Sequence, residues 1–186
     1  MTTHEPGEFS LRALKPSDRD TLLHWRNSDF VRKHMFTPNL ISAEDHKRWF
    51  EGTLGMDPRL YRVLSRADRD LGFVSFARQD ESTTTWTWGL YVGEPDAPRG
   101  SGSALGALAL THAFTELAAD RVVSEAMASN ERAIRLYDRL GFCRVGTRVI
   151  TRTTPGTPED VIIFSRSHLA WVADAPDGGG YATTDD

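Results

Sequence analysis

The apolar residues in the first third of the chain change from an alternating to a helical period. Residues 9–14 alternate like a short strand, and the segments after them repeat apolar residues every three or four positions. Ser17, Ser28 and Ser42 precede these segments and are predicted to cap helices that end near residue 27, near residue 35 and beyond residue 50. The third helix is predicted to carry Trp49 and Phe50 on its buried side.

From residue 60 onward the pattern is mainly extended. Residues 60–65, 71–77 and 84–92 contain β-branched and aromatic residues and predict an antiparallel meander. The remaining elements follow in this order: a Gly-rich turn, a helix over 103–119, a strand over 121–127, a helix over 131–140, and strands over 142–152 and 161–166. This order predicts an α+β fold with a mixed, mostly antiparallel central sheet flanked by helices.

The bulk composition indicates one globular domain. The length of 186 residues has room for a single core, which we expect over 9–172, between a mobile N-terminus over 1–8 and a disordered Gly- and Asp-rich tail over 173–186. The formal charge of -4 gives no general attraction to nucleic acids, and no apolar run approaches the ~20 residues that cross a membrane. Cys143 is the only cysteine and the N-terminus lacks a secretion signal, so we expect a cytoplasmic protein without an intrachain disulfide.

The segment Arg99–Ala104 (RGSGSA) is the first candidate site. Gly100 and Gly102 let an anion approach the backbone N–H groups, and the following helix directs its positive end toward them. A flexible turn that caps the helix and a loose dinucleotide-binding pattern are the alternatives. The dinucleotide pattern is disfavoured because the turn follows an antiparallel meander, and no Gly-Lys-Ser/Thr of a P-loop is present. The pyrophosphate of CoA fits better, with these candidate contacts: Arg99, Gly100, Ser101, Gly102, Ser103 and Ala104.

A second motif, N-x-x-A-I-x-L-Y-x-x-L-G-F, covers residues 130–142. Together with R-x-x-G-x-A over 99–104, it resembles the GNAT family of N-acetyltransferases. The resemblance implies the GNAT fold, a sheet splayed between its fourth and fifth strands, and acetyl-CoA or another acyl-CoA as co-substrate. It also implies that Asn130 binds the pantetheine arm in the gap and that Tyr137 protonates the leaving thiolate. Asn130 and Tyr137 are about two helical turns apart, so one face can carry both.

The role of Tyr137 in the second motif remains open at this stage. Tyr137 could simply belong to the buried stripe of a short amphipathic helix.

Amide formation from a thioester also needs a polarised carbonyl, and preorganised backbone N–H groups supply this in other acyl transfers. The backbone of Leu90, Tyr91 and Val92, at the splayed end of the fourth strand, is the candidate for that role.

The N-terminal half carries a narrower resemblance. Leu11-Arg12-x-Leu14, Leu22-Leu23-x-Trp25-Arg26-Asn27, and His46 with Trp49 resemble acetyltransferases that modify a nucleotide-linked amino sugar in pseudaminic acid biosynthesis. This resemblance implies a small polar amine as acceptor, such as an amino sugar or a comparable specialised metabolite, contacted by Trp25, Arg26, Asn27 and His46. Trp25 and Trp49 could equally be core residues, and His46 could be a surface histidine.

Glu125 is the candidate base, because the sugar-modifying relatives carry a Glu at the matching position beside the gap. A structural ion pair is its competing role. Ser75 is a weaker candidate that could hold a water molecule between this carboxylate and the amine.

Other functions on the same fold remain alternatives. They are acetylation of peptide or ribosomal-protein N-termini, transfer from an aminoacyl-tRNA, and a non-catalytic acyl-CoA-binding module. The histidines show no metal-ligand spacing, so no catalytic metal is expected. A homodimer is a possible assembly that the sequence leaves undecided.

Overall fold

The computed structural model describes residues 8–151 and 158–174. In these ranges the chain forms seven strands and six α-helices, with short 3₁₀ turns at Pro16–Asp18 and Pro58–Leu60. The strands are β1 (Phe9–Ala13), β2 (Tyr61–Arg66), β3 (Arg69–Arg78), β4 (Thr85–Val92), β5 (Arg121–Met127), β6 (Cys143–Thr151) and β7 (Pro158–Ser167). The helices are α1 (Arg19–Asn27), α2 (Asp29–Arg32), α3 (Ala43–Leu54), α4 (Ser101–Thr115), α5 (Glu131–Arg139) and α6 (His168–Ala173).

The strands form one mixed sheet in the order β1-β2-β3-β4-β5-β7-β6. Every neighbouring pair is antiparallel except β4 and β5, which run parallel. That pair is joined only at residues 85–87 and 121–123, although both strands continue for several residues beyond. The two strands therefore separate toward their carboxyl ends. The expected α+β fold with a sheet splayed between its fourth and fifth strands is confirmed.

Local hydrogen bonds and backbone geometry explain where several of the helices and strands begin or end. The hydroxyls of Ser28 and Ser42 accept hydrogen bonds from the backbone N–H groups of Val31 and Asp45, so both predicted N-caps are present. Ser17 lies inside the first 3₁₀ turn and does not cap α1. The β2–β3 hairpin turns through Ala67 and Asp68, both with positive φ, the backbone geometry that matches the twist of a tight hairpin.

Helices cover the two faces of the sheet with separate cores. On one face α4 and α5 bury a large cluster that includes Leu105, Leu110, Trp88, Val122 and Tyr137. On the other face α1 and α3 bury a smaller cluster, formed by Leu22, Trp25, Phe50, Val63 and Phe73. The gap between β4 and β5 lies between these two layers, so a ligand in it can be reached from both.

Two expectations about the elements need correction. Phe50 is buried in α3, but Trp49 is 42% exposed because consecutive helical residues point about 100° apart and cannot share one buried face. Helix α6 was not predicted, and it ends at Ala173, one residue beyond the predicted end of the domain. The predicted mobile N-terminus and disordered tail lie, apart from their innermost residues, outside the described ranges.

Candidate active site

The backbone of β4 directs unused hydrogen-bonding groups into the gap. Gly93 N–H donates to Leu71 O on β3, and N–H directions alternate along a strand, so Gly89 and Tyr91 also face β3. Leu90 and Val92 consequently direct their N–H and C=O groups toward β5, from which β4 has already separated. These groups line the gap without a ladder partner.

The Gly-rich turn at the start of α4 provides a second set of unused donors. Gly100 adopts φ +93°, a conformation that favours glycine, and Ala104 N–H makes the first helical hydrogen bond, to Gly100 O. Among the described residues, no group accepts a hydrogen bond from the N–H of Gly102 or Ser103, which lie in the first turn of α4. A Cβ built at Gly100 would contact nothing, and one at Gly102 would contact only Val92 Cγ2 at 4.0 Å. The space is therefore open for an anion.

The six residues predicted to contact the pyrophosphate of CoA have different roles in the structure. Gly100, Gly102 and Ser103 line the cavity described below. Ser101 is buried and donates its hydroxyl to Pro98 O at 2.7 Å, and Ala104 N–H is used within the helix, so these two shape the turn. Arg99 is exposed and does not line the cavity. The cation on the wall is instead Arg139 of α5, whose Nη2 lies 3.4 Å from Ser103 Oγ.

Asn130 and Tyr137 both face the gap from α5. Asn130 caps the helix through its Oδ1, which accepts from Ala133 N–H at 3.2 Å, and its amide NH₂ is left for another partner. Tyr137 is 6% exposed, and its hydroxyl oxygen accepts a hydrogen bond from Ser124 Oγ at 2.7 Å. Burial raises the pKa of Tyr137, so its phenol stays protonated at neutral pH. Because Ser124 donates to it, the phenolic proton is free to point into the cavity.

One continuous cavity of about 990 Å³ joins these features to the opposite face of the sheet. It is lined by the Gly-rich turn, by residues 87–92 of β4, by residues 123–127 of β5, and by α5. On the far side its walls belong to α1, α2, α3 and the loop between α2 and α3. A donor bound at the turn and an acceptor bound among the N-terminal helices would therefore meet in the gap.

Glu125 lines the cavity from β5, but its carboxylate is already engaged. Arg148 of β6 donates to both oxygens, Nε to Oε1 at 2.9 Å and Nη2 to Oε2 at 2.6 Å. These hydrogen bonds raise the pKa of Arg148. The Arg148 guanidinium also lies over the ring of Phe36, 5.5 Å from its centroid. Both roles considered for Glu125, base and ion-pair partner, remain compatible with this position.

Two of the predicted acceptor residues lie on the cavity wall. Arg26 and His46 line it, next to the exposed indole of Trp49. His46 is 3% exposed, which excludes the surface histidine considered for it. Burial lowers the pKa of His46, and its ring packs against Trp49 and Phe50 with centroid distances of 5.2 and 6.0 Å.

The other three predicted acceptor residues do not line the cavity. Trp25 is 2% exposed in the smaller core, where it contacts Gly93 so closely that a Cβ there would lie 2.3 Å from the indole. Asn27 is a structural residue that exchanges two hydrogen bonds with the backbone of Ile41. Ser75 contacts Gly89 O at 3.5 Å, the limit for a hydrogen bond, and of these two residues only Gly89 lines the cavity.

The loop between α2 and α3, residues 33–42, forms part of the acceptor wall and is held through its backbone. Arg26 donates to Thr37 O, Arg32 to Pro38 O, and Asn27 to Ile41 O. Met35 and Phe36 of this loop line the cavity. Sequence reasoning missed Phe36, the wall residues Arg132 and Arg139, and Arg148 behind Glu125, because nothing in their local spacing marks them.

Comparison with known proteins identifies the family. A family model described as an acetyltransferase (GNAT) domain matches residues 8–143. The chain belongs to the GNAT acetyltransferase family. It is accordingly an acetyltransferase, an enzyme whose acyl donor in this family is acetyl-CoA. The open N–H groups and side-chain-free surface at Gly100 and Gly102 fit the pyrophosphate of that donor.

Individual relatives agree with this assignment. The uncharacterized N-acetyltransferase YokL from the SPβ prophage of Bacillus subtilis strain 168 is 26% identical over 164 residues, which is 87% of this chain and 92% of YokL. The solved spermidine N-acetyltransferase of Vibrio cholerae, in complex with CoA and spermine, is similar with a TM-score of 0.78 and 19% identity, over 88% of this chain and 98% of that one. The acetyltransferase yncA of Salmonella typhimurium, solved with acetyl-CoA, has a TM-score of 0.70 and 17% identity, over 86% and 94%.

The side chains and helices of the described ranges offer neither a candidate group of metal ligands nor a helix that could cross a membrane. In these ranges, no three histidine, cysteine, aspartate or glutamate side chains lie close enough to hold a metal ion. No helix of the described residues is both long and apolar enough to cross a membrane.

Proposed function

We propose that this protein transfers an acetyl group from acetyl-CoA to the primary amine of a small polar molecule, such as an amino sugar, by direct attack in a ternary complex. The observation that carries the proposal is the single cavity that connects the Gly-rich turn and the splayed gap to a wall of aromatic and cationic side chains. A covalent enzyme intermediate is unnecessary, because holding the two reactants together already makes attack effectively intramolecular.

The donor would be held mainly by backbone atoms. The N–H groups of Gly102 and Ser103 and the positive end of α4 suit the pyrophosphate, and Arg139 adds a charged contact nearby. In the gap, the Asn130 amide suits the pantetheine arm. Bound acetyl-CoA supplies an activated acetyl group and a thiolate leaving group.

Leu90 or Val92 N–H is the proposed donor to the acetyl carbonyl oxygen. Both are fixed on a strand, lie in the gap and have no ladder partner, so they require little reorganisation when negative charge develops on the oxygen. Tyr137 would hold a proton at its hydroxyl for the departing sulfur. Burial raises its pKa and keeps it protonated, and the hydrogen bond from Ser124 fixes the position of the hydroxyl oxygen.

The amine must lose a proton, and Glu125 is the proposed base, directly or through water. It lies on the β5 edge of the cavity. Its ion pair with Arg148 fixes the carboxylate at the acceptor side but also occupies both of its oxygens. A base role therefore requires Glu125 to exchange one of these hydrogen bonds for the amine or a water molecule.

The acceptor would lie against the exposed indole of Trp49 and the ring of Phe36. Aromatic faces of this kind suit a sugar ring, in line with the resemblance to amino-sugar acetyltransferases. An extended peptide would instead gain main-chain hydrogen bonds along a groove.

The test is a thiol-release assay with acetyl-CoA and three acceptor classes: amino sugars, polyamines and short peptides. We expect turnover with at least one small amine and intersecting initial-velocity patterns typical of a ternary complex. Activity on peptide N-termini alone would remove the small-acceptor assignment. Absence of release with any amine, in a protein that still binds acetyl-CoA, would favour a binding module.

A further inference from the structure

On the part of the cavity wall that the structure describes, the carboxylates have arginine partners, whereas the arginines lack carboxylate partners. Among the described residues that line the cavity there are two carboxylates, Asp45 and Glu125, and three guanidinium groups, Arg26, Arg132 and Arg139. Asp45 is paired with Arg48, and Glu125 with Arg148. None of the three cavity arginines has a carboxylate partner within the described residues. Unmatched positive charge thus lines this cavity, although the whole chain carries a formal charge of -4.

These three arginines divide between the two substrates. Arg139 approaches Ser103 in the Gly-rich turn, and so belongs with the donor phosphates. Arg26 comes from α1 on the opposite face of the sheet, where Tyr91 is among its neighbours. The Arg132 guanidinium lies 5.7 Å from the ring centroid of Phe30 in α2, which lines the same wall. Arg26 and Arg132 therefore remain for the acceptor.

Arg26 is the more confined of the two. Its Nη2 donates to Thr37 O at 2.8 Å, but its Nη1 is buried without a hydrogen-bond partner. Burial lowers the pKa of Arg26, and the nearby cation Arg32 lowers it further. Leaving a guanidinium donor desolvated and unpaired is costly, and an anion beside it would compensate that cost. Arginine is also the side chain best suited to carboxylate and phosphate geometry.

We infer that the acceptor amine carries an anionic oxyacid group, a carboxylate or a phosphate, which binds Arg26 on the wall and Arg132 at the exposed rim. The inference deepens the proposed function and rests on it. It also separates this protein from polyamine acetyltransferases, because a polycationic acceptor would meet arginines without counterions and carboxylates that are already paired.

Binding measurements test the inference without relying on turnover. The CoA-saturated protein is titrated by calorimetry with two matched pairs, glucosamine 6-phosphate against glucosamine and phenylalanine against phenylalaninamide, and with spermidine. We expect the anionic member of at least one pair to bind about 10-fold or more tightly than its neutral partner, and spermidine to bind more weakly than both. Which pair responds distinguishes phosphate from carboxylate. Equal affinities in both pairs, preference for spermidine, or no binding by either anionic member would overturn the inference.

Variants separate anion binding from the structural role of Arg26 at Thr37. Arg26→Gln should remove the preference for the anionic member while leaving the neutral one nearly unchanged, and Arg132→Gln should reduce the preference partially. Arg135→Gln is the matched control for Arg132→Gln, because Arg135 also lies on α5 but is paired with Glu131 and does not line the cavity. Equal weakening of both members by Arg26→Gln would mean that Arg26 only holds the loop, and the inference would fail.

The same compounds in the thiol-release assay keep the two proposals apart. Turnover without any preference for anionic amines would leave acetyl transfer intact and eliminate the anion site. Selective, Arg26-dependent binding without thiol release would support the anion site and count against the catalytic assignment.

Discussion

The two halves of the cavity are built in different ways. On the donor side the main contacts are backbone N–H groups, at Leu90 and Val92 on β4 and at Gly102 and Ser103 in α4, held by the sheet ladder and by the first helical hydrogen bonds. On the acceptor side the wall consists of side chains from separate helices and a loop, including Arg26, Phe36, His46, Trp49 and Arg132.

The difference indicates which half tolerates change. A donor site made of backbone atoms depends on open space and on the absence of side chains, so a substitution that fills this space should abolish binding at once. An acceptor wall made of side chains can change residue by residue and should respond to substitutions with graded shifts in preference. We therefore expect the largest effects on the donor side and smaller ones toward the acceptor wall.

Gly102→Asp should abolish detectable acetyl-CoA binding. The new carboxylate would occupy the open space at the turn and repel the pyrophosphate, while the fold should tolerate it, since only Val92 Cγ2 lies near. Calorimetry with acetyl-CoA is the measurement. Gly52→Asp is the control, because Gly52 is also helical and a Cβ there would have no neighbour within 4 Å, yet it lies in α3 away from the turn. Wild-type affinity in Gly102→Asp would show that the turn does not bind the donor.

Tyr137→Phe should lower kcat by about 10²–10⁴-fold with little change in acetyl-CoA affinity, because the lost proton donor acts mainly as the thiolate leaves. Single-turnover kinetics measure this loss even where product release limits kcat. Ser124→Ala removes the hydrogen bond to the phenol but keeps its proton, so a much smaller reduction is expected. Unchanged turnover in Tyr137→Phe would indicate that Tyr137 acts only through packing, and equal losses in the two variants would assign its effect to the hydrogen bond with Ser124.

Glu125→Gln tests a residue that lies where the donor side and the acceptor side of the cavity meet. If Glu125 is the base, this variant should lose roughly 10²-fold in kcat, whereas Arg148→Gln, which frees the carboxylate, should lose far less. A purely structural ion pair predicts equal, small changes in kcat and similar losses of stability, on the order of 1 kcal/mol or less for so exposed a pair. Parallel kinetics and thermal melts of both variants decide between the two roles.

The smallest effect concerns pH and the acceptor wall. Burial lowers the pKa of His46 and of His112 below the ordinary value of 6.5. Well above pH 6.5 both histidines are neutral in the folded and unfolded chain, and their contribution to stability is complete. As the pH falls below 6.5 the unfolded chain binds protons first, so the free energy of unfolding decreases, by at most about 1.4 kcal/mol per pH unit for each histidine.

His46→Gln should therefore flatten, but not remove, the loss of stability on acidification, since His112 contributes with the same sign. Urea unfolding at pH 7.5, 6.5 and 5.5 measures the slope. Thr21→Gln, at an exposed position of α1, is the control and should leave the slope unchanged, because it neither adds nor removes a titratable group. An unaltered slope in His46→Gln would contradict the assignment of a neutral, buried His46.

The difference between the donor side and the acceptor side also explains which features the sequence could predict. Strand β5 was placed at its observed bounds because its β-branched residues alternate between turn signals, and the caps at Ser28 and Ser42 follow from local hydrogen bonding. The splay between β4 and β5 followed from the family motifs. These features depend on residues near one another in the chain, or on motifs with fixed spacing.

The acceptor wall could not be predicted in the same way. Trp25 and Trp49 are chemically equal, but the core accepts Trp25 against Gly93 while Trp49 lies on the cavity. Arg148 reaches Glu125 across β7, which lies between β5 and β6 in the sheet, and no local pattern reveals this order. Helix α6 was missed because its six residues are too few for a periodic signal.

The way in which the loop over residues 33–42 is fastened has an evolutionary consequence. Arg26, Asn27 and Arg32 donate hydrogen bonds to carbonyl oxygens of the loop backbone. Every amino acid provides such an oxygen, so these hydrogen bonds do not depend on the side chains of the loop. Mutations at Met35 or Phe36 can alter the surface offered to an acceptor while the path of the chain is conserved. New acceptor preferences can thus arise by single substitutions in this loop, and directed evolution of this enzyme toward other amines should begin there.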